Sequence, residues 1–391
     1  MIREITISTY LFLFKALFSL FKLLPQQNKT VCVASFGDNI FYTTRSLSNL
    51  SDERIIILKS RRCNYEFQKE NGYLLNFSVT HPLACVQSIY HLATATTILV
   101  DNYFGFLAVT NFKPGTTCIQ LWHAVGALKQ FGLSDTSSKT RSERSKARFR
   151  KVYSRFHFVA VGSEKMAAIF LNSFEITDDR ILRTGIPRTD VFYDNKEKQE
   201  IYQKLKSYYP IISRKKVILY APTYRDLELT NYQLQLDVKL LHQKLADDYV
   251  LFVKLHPAVS YAFDEKYDEF VYDVSGYYDS NHLMLLSDLL ISDYSSVPIE
   301  FSLLNKPMIF FAYDLHDYDR TRGLLKNYQY EMPGPIVQTT EEIIKAIEQN
   351  NFDFKKIKAF AGEWNDYSFG KSSMNVAEFI MNESMSEEIS L

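Results

Sequence analysis

The sequence predicts an α/β protein of two parallel-sheet units in tandem, and three observations carry that expectation. Past Pro25, short β-rich runs alternate with helical stretches over most of the chain. Several of these runs are apolar enough to be buried on both faces, as strands of a parallel sheet are. The 391 residues exceed the usual length of one domain, so two of similar size are expected. The first series of strands is read at residues 30–35, 54–58, 96–100, 117–121 and 156–161. The second is read at 216–220, 250–255, 270–274, 288–291 and 307–311. Between them, residues 190–206 lose the strand pattern and turn polar, which marks a linker and its flanking helix. The expected division is an amphipathic segment at 1–25, a first domain at 26–195 and a second at 196–391.

Composition sets limits on function. Hydrophobic residues at 46% and charged residues at 23% describe an ordered globular protein, and a formal net charge of +0 argues against wholesale nucleic-acid binding. Cys32, Cys63, Cys85 and Cys118 are widely spaced with no C-x-x-C pair, the pattern of buried thiols in a reducing cytosol. No repeat of solenoid length and no low-complexity tract is present.

The segment 5–24 is dense in Phe, Leu and Ile but carries Lys15 and Lys22, and it lacks the cleavage pattern of a secretory signal. A lysine near the middle of a membrane span is unfavourable. The preferred reading is an interfacial or membrane-proximal helix whose lysines snorkel toward anionic headgroups, with packing on the protein's own body and a true span as the alternatives. Residues 138–155 are strongly basic, and Arg141, Arg144 and Arg148 recur at helical spacing, so one face suits anionic lipid or a diphosphate. A solvated helix face is the alternative.

The residues with chemistry fall at predicted strand ends, where open α/β sheets bind ligands. His123 follows the strand at 117–121, Thr223 and Arg225 follow Tyr220, and His256 follows Val253-Lys-Leu. The stretch Ile291-Ser-Asp-Tyr-Ser-Ser-Val-Pro-Ile-Glu300 reads as a buried strand, a polar turn and a helix whose first turn carries Ser295 and Ser296. Unpaired backbone N–H groups and the helix dipole there suit a phosphate, and helix capping is the plainer reading. Neither G-x-G-x-x-G nor G-x-x-x-x-G-K-[ST] is present, which argues against a standard NAD site or P-loop. Asp317-Tyr-Asp319 has the spacing of a Mn²⁺- or Mg²⁺-holding pair but lies in a polar loop, and no metal or other cofactor is expected.

Two such units in tandem resemble the GT-B-like architecture of nucleotide-sugar transferases: two Rossmann-like domains facing across a cleft, here with an N-terminal membrane-proximal helix. The blocks Trp122-His123, Gly185-Ile-Pro-Arg-Thr-Asp190, Tyr220-Ala-Pro-Thr-Tyr-Arg225, Lys254-Leu-His-Pro257, Ile291-Ser-Asp-Tyr-Ser-Ser296, and Tyr313-Asp314 through Arg322-Gly323 resemble the CDP-glycerol glycerophosphotransferases of wall teichoic acid synthesis. Polymerase members usually read Trp-His-Gly-Thr-Pro, whereas Trp122-His-Ala-Val-Gly-Ala-Leu-Lys129 is similar to the primase branch.

The resemblance implies transfer of glycerol phosphate from CDP-glycerol to the lipid-linked disaccharide N-acetylmannosaminyl-N-acetylglucosaminyl diphosphoundecaprenol, with release of CMP. His123 is the expected general base, since imidazole takes a proton near neutrality. His256 is expected to assist departure of CMP. Arg225 and Thr223 suit the diphosphate, Ser295 and Ser296 a phosphate, and Asp293 the orientation of that turn. Glu300 is expected on the ribose, where the family commonly has Asp, and Pro222 on the cytosine. Lys15, Lys22, Arg141, Arg144 and Arg148 are expected to meet the membrane or the acceptor. The expected partners are CDP-glycerol, the undecaprenyl-diphosphate-linked acceptor and the cytoplasmic membrane leaflet, with no nucleic acid. There is room for a homo-oligomer or a complex with other teichoic acid enzymes. A polymerase-type or capsule glycerol/ribitol phosphotransferase, and a non-catalytic membrane-associated scaffold, are the alternatives.

Overall fold

A computed structural model describes residues 2–68, 71–135, 141–223, 225, 232–256, 259, 261–325 and 327–388. The chain falls into two units: Met1–His123, Phe131–Asp190 and Asp366–Leu391 form the first, and Ala124–Gln130 with Val191–Asn365 form the second.

The first unit is built on seven parallel strands: β1 (Gln27–Ala34), β2 (Arg54–Ser60), β3 (Tyr73–Phe77), β4 (Ala95–Val100), β5 (Thr117–Gln120), β6 (Phe158–Ala160) and β7 (Ile181–Leu182). Their order is β3-β2-β1-β4-β5-β6-β7, so the winding reverses between β1 and β4. The central register aligns Val31 with Ile56 on one side and Ile98 on the other, and all three are 0% exposed. Burial on both faces is why these strands read as unbroken apolar runs.

The Gly185–Asp190 block is a fastening. Gly185 sits at φ +79°, and a side chain there would run into the Tyr367 carbonyl and Ser372. Arg188 pairs with Asp38 at 2.6 Å, and its backbone N–H donates to Asn39 Oδ1 at 2.9 Å. Asp190 then accepts from the Ser372 and Ser373 backbone N–H groups at 2.9 and 2.8 Å and from the Ser373 hydroxyl at 2.6 Å. Those N–H groups open the helix Ser372–Glu388, whose first-turn donors have no partner within the helix. That helix packs against the helix Asp38–Leu50, so residues far apart in sequence complete one layer of the first unit.

The second unit has six parallel strands: β8 (Lys216–Ala221), β9 (Tyr249–Val253), β10 (Val271–Asp273), β11 (Leu289–Ser292), β12 (Met308–Phe311) and β13 (Ile336–Val337). Their order, β10-β9-β8-β11-β12-β13, repeats the pattern of the first sheet, with the reversal between β8 and β11. Its core combines Ile218, Leu251, Ile291 and Ile309 with Leu241 and Leu245 from one helix and Ile343 and Ile347 from another. The latter helix, Thr340–Gln349, starts at a capping box between Thr339 and Glu342. Segment 124–130 is held inside this unit: Lys129 bridges antiparallel to Leu324, and the Gln130 N–H donates to the Gly323 carbonyl at 3.0 Å.

The expected strands are all present, and both sheets are parallel as expected. The structure adds β3, β7 and β13.

Lys29 is 1% exposed at the start of β1, where its Nζ donates to Thr94 Oγ1 at 2.7 Å and to Gln27 Oε1 at 2.8 Å and meets His91 Nδ1 at 3.2 Å. Burial first, then the Lys29 and Arg54 charges, push His91 down to about 4. The unfolded chain takes up a proton on this residue below its ordinary value of 6.5, whereas the folded protein refuses it until about 4. Stability is therefore lost as pH falls through that window. His91→Gln, which keeps an acceptor for Lys29, is expected to flatten this part of the curve of urea midpoint against pH.

Asp190→Ala is expected to lower stability by about 2 kcal/mol through orphaned donors at a buried helix start, measured by urea unfolding.

Candidate active site

The polar residues gather at the carboxyl ends of the strands, at the reversal of winding in each sheet. In the first unit, Asp101 follows β4 directly and is 0% exposed. Its carboxylate accepts from the backbone N–H groups after β1: Ser35 at 2.8 and 3.0 Å, Phe36 at 2.9 Å and Gly37 at 2.8 Å. Burial pushes this carboxyl up to about 7, while the same N–H bonds pull the other way.

His123 stands beside this cluster, half-buried, with Nδ1 3.1 Å from the main-chain carbonyl of Asp101. A carbonyl only accepts, so Nδ1 carries the hydrogen and, in the neutral ring, Nε2 is the basic nitrogen. Two neighbours set the approach. Trp122 has a left-handed backbone, φ 59°, uncommon outside glycine, and turns the chain just before His123. Asn39 Nδ2 donates to the carbonyls of Leu121 and Trp122 at 3.3 and 3.0 Å and holds that turn.

In the second unit, Asp293 follows β11 and is 1% exposed. Its Oδ1 accepts from the Thr223 N–H at 2.8 Å, across the reversal from β11 to the loop after β8. Its Oδ2 accepts from Arg225 Nη1 at 3.0 Å. Arg225 Nε and Nη2 form a fork onto Asp314 at 2.9 Å each, and Nη1 also donates to the Thr223 carbonyl. The guanidinium lies against the rings of Tyr318 at 4.6 Å, Tyr294 at 5.2 Å and Tyr313 at 5.4 Å. The Tyr294 hydroxyl donates to Asp314 Oδ1 at 3.0 Å and the Tyr328 hydroxyl to the Asp293 carbonyl at 2.9 Å. Arg225 is thus the centre of a partly buried ionic network. Nothing in the sequence around Asp314 assigns it a role; the fold shows that it completes this network.

Ser295 and Ser296 are half-buried and precede the short helix Val297–Phe301 instead of lying in its first turn. Ser295 Oγ accepts from the Val297 N–H at 3.3 Å, while the Ser296 side chain makes no capping bond. Pro222 is half-buried beside Thr223, and Glu300 is 1% exposed within the same short helix. His256 lies past the end of β9 and is exposed. Lys254 before it is pinned by its Nζ to the carbonyls of Ser275, at 3.0 Å, and Tyr277. The block at 254–256 therefore anchors its lysine and presents its histidine. Tyr224, Pro257 and Lys139 lie outside the described residues.

Asp317 pairs with Arg320 at 2.9 Å, and Asp319 Oδ1 accepts from the Leu324 N–H at 2.8 Å. Among the described residues, no three His, Cys, Asp or Glu side chains gather as a metal set.

The helix Ile2–Phe21 buries Phe14 and Phe18 against the first unit, with Phe14 stacked on Phe106 at 5.0 Å. Only 11% of its window Glu4–Phe21, of mean hydropathy 1.4, is buried, and Ile5, Phe12, Leu13 and Leu20 stand exposed. Lys15 is exposed and Lys22 half-buried. The basic helix Glu143–Tyr153 lies alongside: Arg144 donates to Ser8 Oγ at 3.0 Å and Arg148 pairs with Glu4 at 3.4 Å. Arg141, just before this helix, lines with Arg148, Tyr10, Phe77 and Tyr103 a groove of about 700 Å³.

Two parallel sheets in Rossmann order, each with a polar cluster at its switch point, define a GT-B-like transferase. The sequence signature of the family described as CDP-Glycerol:Poly(glycerophosphate) glycerophosphotransferase matches residues 17–382. The chain belongs to this family, the CDP-glycerol glycerophosphotransferases of wall teichoic acid synthesis, and is an enzyme of that class. It is 38% identical to the teichoic acid glycerol-phosphate primase of Bacillus subtilis (strain 168), over 97% of this chain and 99% of that protein. It is 34% identical to the teichoic acid ribitol-phosphate primase of Bacillus spizizenii (strain ATCC 23059 / NRRL B-14472 / W23), over 92% of each. The structure of the wall teichoic acid polymerase TagF superposes with a TM-score of 0.82 at 26% identity, covering 99% of both chains.

Arg225→Lys keeps the charge but loses the fork. It is expected to cost on the order of 3 kcal/mol in urea unfolding, because Asp293 and Asp314 are left partly uncompensated. An arginine whose only role was to touch ligand would leave stability unchanged and alter donor binding alone.

Proposed function

We propose that this enzyme transfers glycerol phosphate from CDP-glycerol to N-acetylmannosaminyl-N-acetylglucosaminyl diphosphoundecaprenol, releasing CMP, as the priming step of wall teichoic acid synthesis. The observation that carries the chemistry is the Nδ1 bond of His123, which makes Nε2 the proton acceptor at a switch point. The sugar hydroxyl oxygen bonds to the glycerol-bearing phosphorus of CDP-glycerol. The bond from that phosphorus to the bridging oxygen breaks, CMP leaves with the electron pair, and the hydroxyl proton passes to His123 Nε2. His256 donates to the departing phosphate. Thr223, Ser295 and Ser296 hold the donor phosphates, with Pro222 on the base and Glu300 on the ribose. Asp293 and Arg225 keep this donor cluster in shape through their mutual bond and Asp314. The priming role is supported by the match over nearly the whole of both chains to the Bacillus subtilis glycerol-phosphate primase.

We place the enzyme at the cytoplasmic face of the membrane as a peripheral protein. The exposed apolar residues of the helix Ile2–Phe21, with Lys15 and Lys22 in or beside it, Arg144 and Arg148 in the adjoining helix and Arg141 just before that helix, suit an anionic lipid surface.

The deciding assay offers radiolabelled CDP-glycerol and CDP-ribitol separately to a synthetic lipid-linked disaccharide and reads product length by mass spectrometry. One added glycerol phosphate is the expected product. Long polymer would move the enzyme to the polymerase branch, ribitol incorporation to the ribitol primases, and no product with either donor would support a scaffold. His123→Ala is expected to abolish transfer while CDP-glycerol binding persists. Phe12→Ser with Leu13→Ser is expected to reduce co-sedimentation with anionic vesicles severalfold.

A further inference from the structure

His123 can act as a base only if its ring is held in place. Three features converge on it, all within the first unit. Its Nδ1 hydrogen is engaged by the main-chain carbonyl of Asp101 at 3.1 Å. One face of the ring is covered by Phe36, whose centroid lies 4.2 Å away with the planes 8° apart. Phe36 is in turn carried by the turn 35–37, and every backbone N–H of that turn is taken by the Asp101 carboxylate. Asp101 therefore acts twice, with its main chain on the edge of the imidazole and with its side chain on the turn that covers the face.

The turn has no easy alternative shape. Gly37 sits at φ +101°, and a Cβ there would come within 2.5 Å of Tyr65 Cβ. Phe36 is nevertheless 45% exposed. Without the ring of Phe36 the imidazole could rock about its Nδ1 bond. With it, rocking loses a flat stacking contact.

We propose that Asp101 and Phe36 are positioning residues of the transfer reaction: the buried carboxylate holds the turn, the turn lays Phe36 on His123, and the ring is kept with Nε2 directed at the acceptor hydroxyl. This rests on His123 being the general base. It differs from the familiar pairing in which a carboxylate bonds the imidazole directly, because here the carboxylate reaches the base only through backbone and an aromatic face.

The test uses the full-length enzyme with CDP-glycerol and the lipid-linked disaccharide. Phe36→Leu keeps an apolar side chain at a partly exposed position, so folding is not at stake. It is expected to lower kcat about tenfold or more with KM for CDP-glycerol unchanged, and Phe36→Tyr is expected to restore kcat. Long-range ¹H–¹⁵N spectra of the His123 ring are expected to show the Nδ1–H tautomer in the parent and a mixture in Phe36→Leu. A kcat for Phe36→Leu within twofold of the parent, or a loss that Phe36→Tyr does not repair, overturns the proposal. Asp101→Asn turns a donor toward the backbone N–H groups and is expected to lower kcat in the same way. Folded Asp101→Asn with full kcat also overturns the proposal, and if that variant does not fold the Phe36 pair decides. Should His123→Ala retain turnover, the general-base reading itself fails. A dead His123→Ala beside a fully active Phe36→Leu removes only the positioning role.

Discussion

One arrangement recurs in both units: a carboxylate at the reversal of strand order that accepts backbone N–H from the loop across the gap, three such groups at Asp101 and one at Asp293. Asp101 after β4 serves the loop after β1, and Asp293 after β11 serves the loop after β8. The positions correspond in the 3-2-1-4 order of each sheet. Where parallel strands part, the emerging N–H groups lose their ladder partners, and each would be costly to bury unpaired. A short acid with several lone pairs answers that need and fixes the loop shape in the same stroke. His123 depends on the first instance and the network of Arg225 on the second.

The two instances differ in how the charge is met. Asp293 has a guanidinium on its second oxygen, and Asp314 closes the other side of that cation. Asp101 faces only amides in the bonds described, and burial accordingly pushes its carboxyl up. Around Arg225 the tyrosines are also buried, and burial raises Tyr294, Tyr318 and Tyr328 well above the ordinary phenol range, so their hydroxyls stay neutral, those of Tyr294 and Tyr328 as donors and that of Tyr318 as an acceptor from Lys129 Nζ at 3.4 Å.

Much of this was legible in the sequence, for a physical reason. Central strands of a doubly covered sheet are apolar throughout, so 30–35, 96–100 and 307–311 could be read without knowing their neighbours. β3, Tyr73-Leu-Leu-Asn-Phe77, was not: it is an edge strand in which only Leu75 is buried, with Tyr73 55% and Leu74 44% exposed, so its apolar residues do not mark a core run. β7 and β13 are two residues long, below what periodicity can register. Ser295 and Ser296 fall just outside the first turn they are expected in, at the residue before the N-cap and at the N-cap itself, because Pro298 sits comfortably in the first helical turn and the helix opens at Val297. The site was legible as positions and less so as directions. An arginine after a strand reads equally as a phosphate ligand or as the hub of an ionic network, and only the fold shows that Asp314, 89 residues away, meets its fork. Asp101 and Phe36 gave no signal, since a lone acid and a lone aromatic at strand ends are common.

The return of residues 366–388 to the first unit has a consequence for biogenesis. The helix Ser372–Glu388 is secured by Asp190 and packs on Asp38–Leu50, so the first-made half of the chain lacks one wall while the second half is being translated. Its apolar surface must wait on the ribosome for more than 170 further residues before closing, roughly ten seconds or longer at ordinary elongation rates of about 5–20 residues per second. Chaperone occupancy of nascent chains should therefore persist until the final helix has left the exit tunnel.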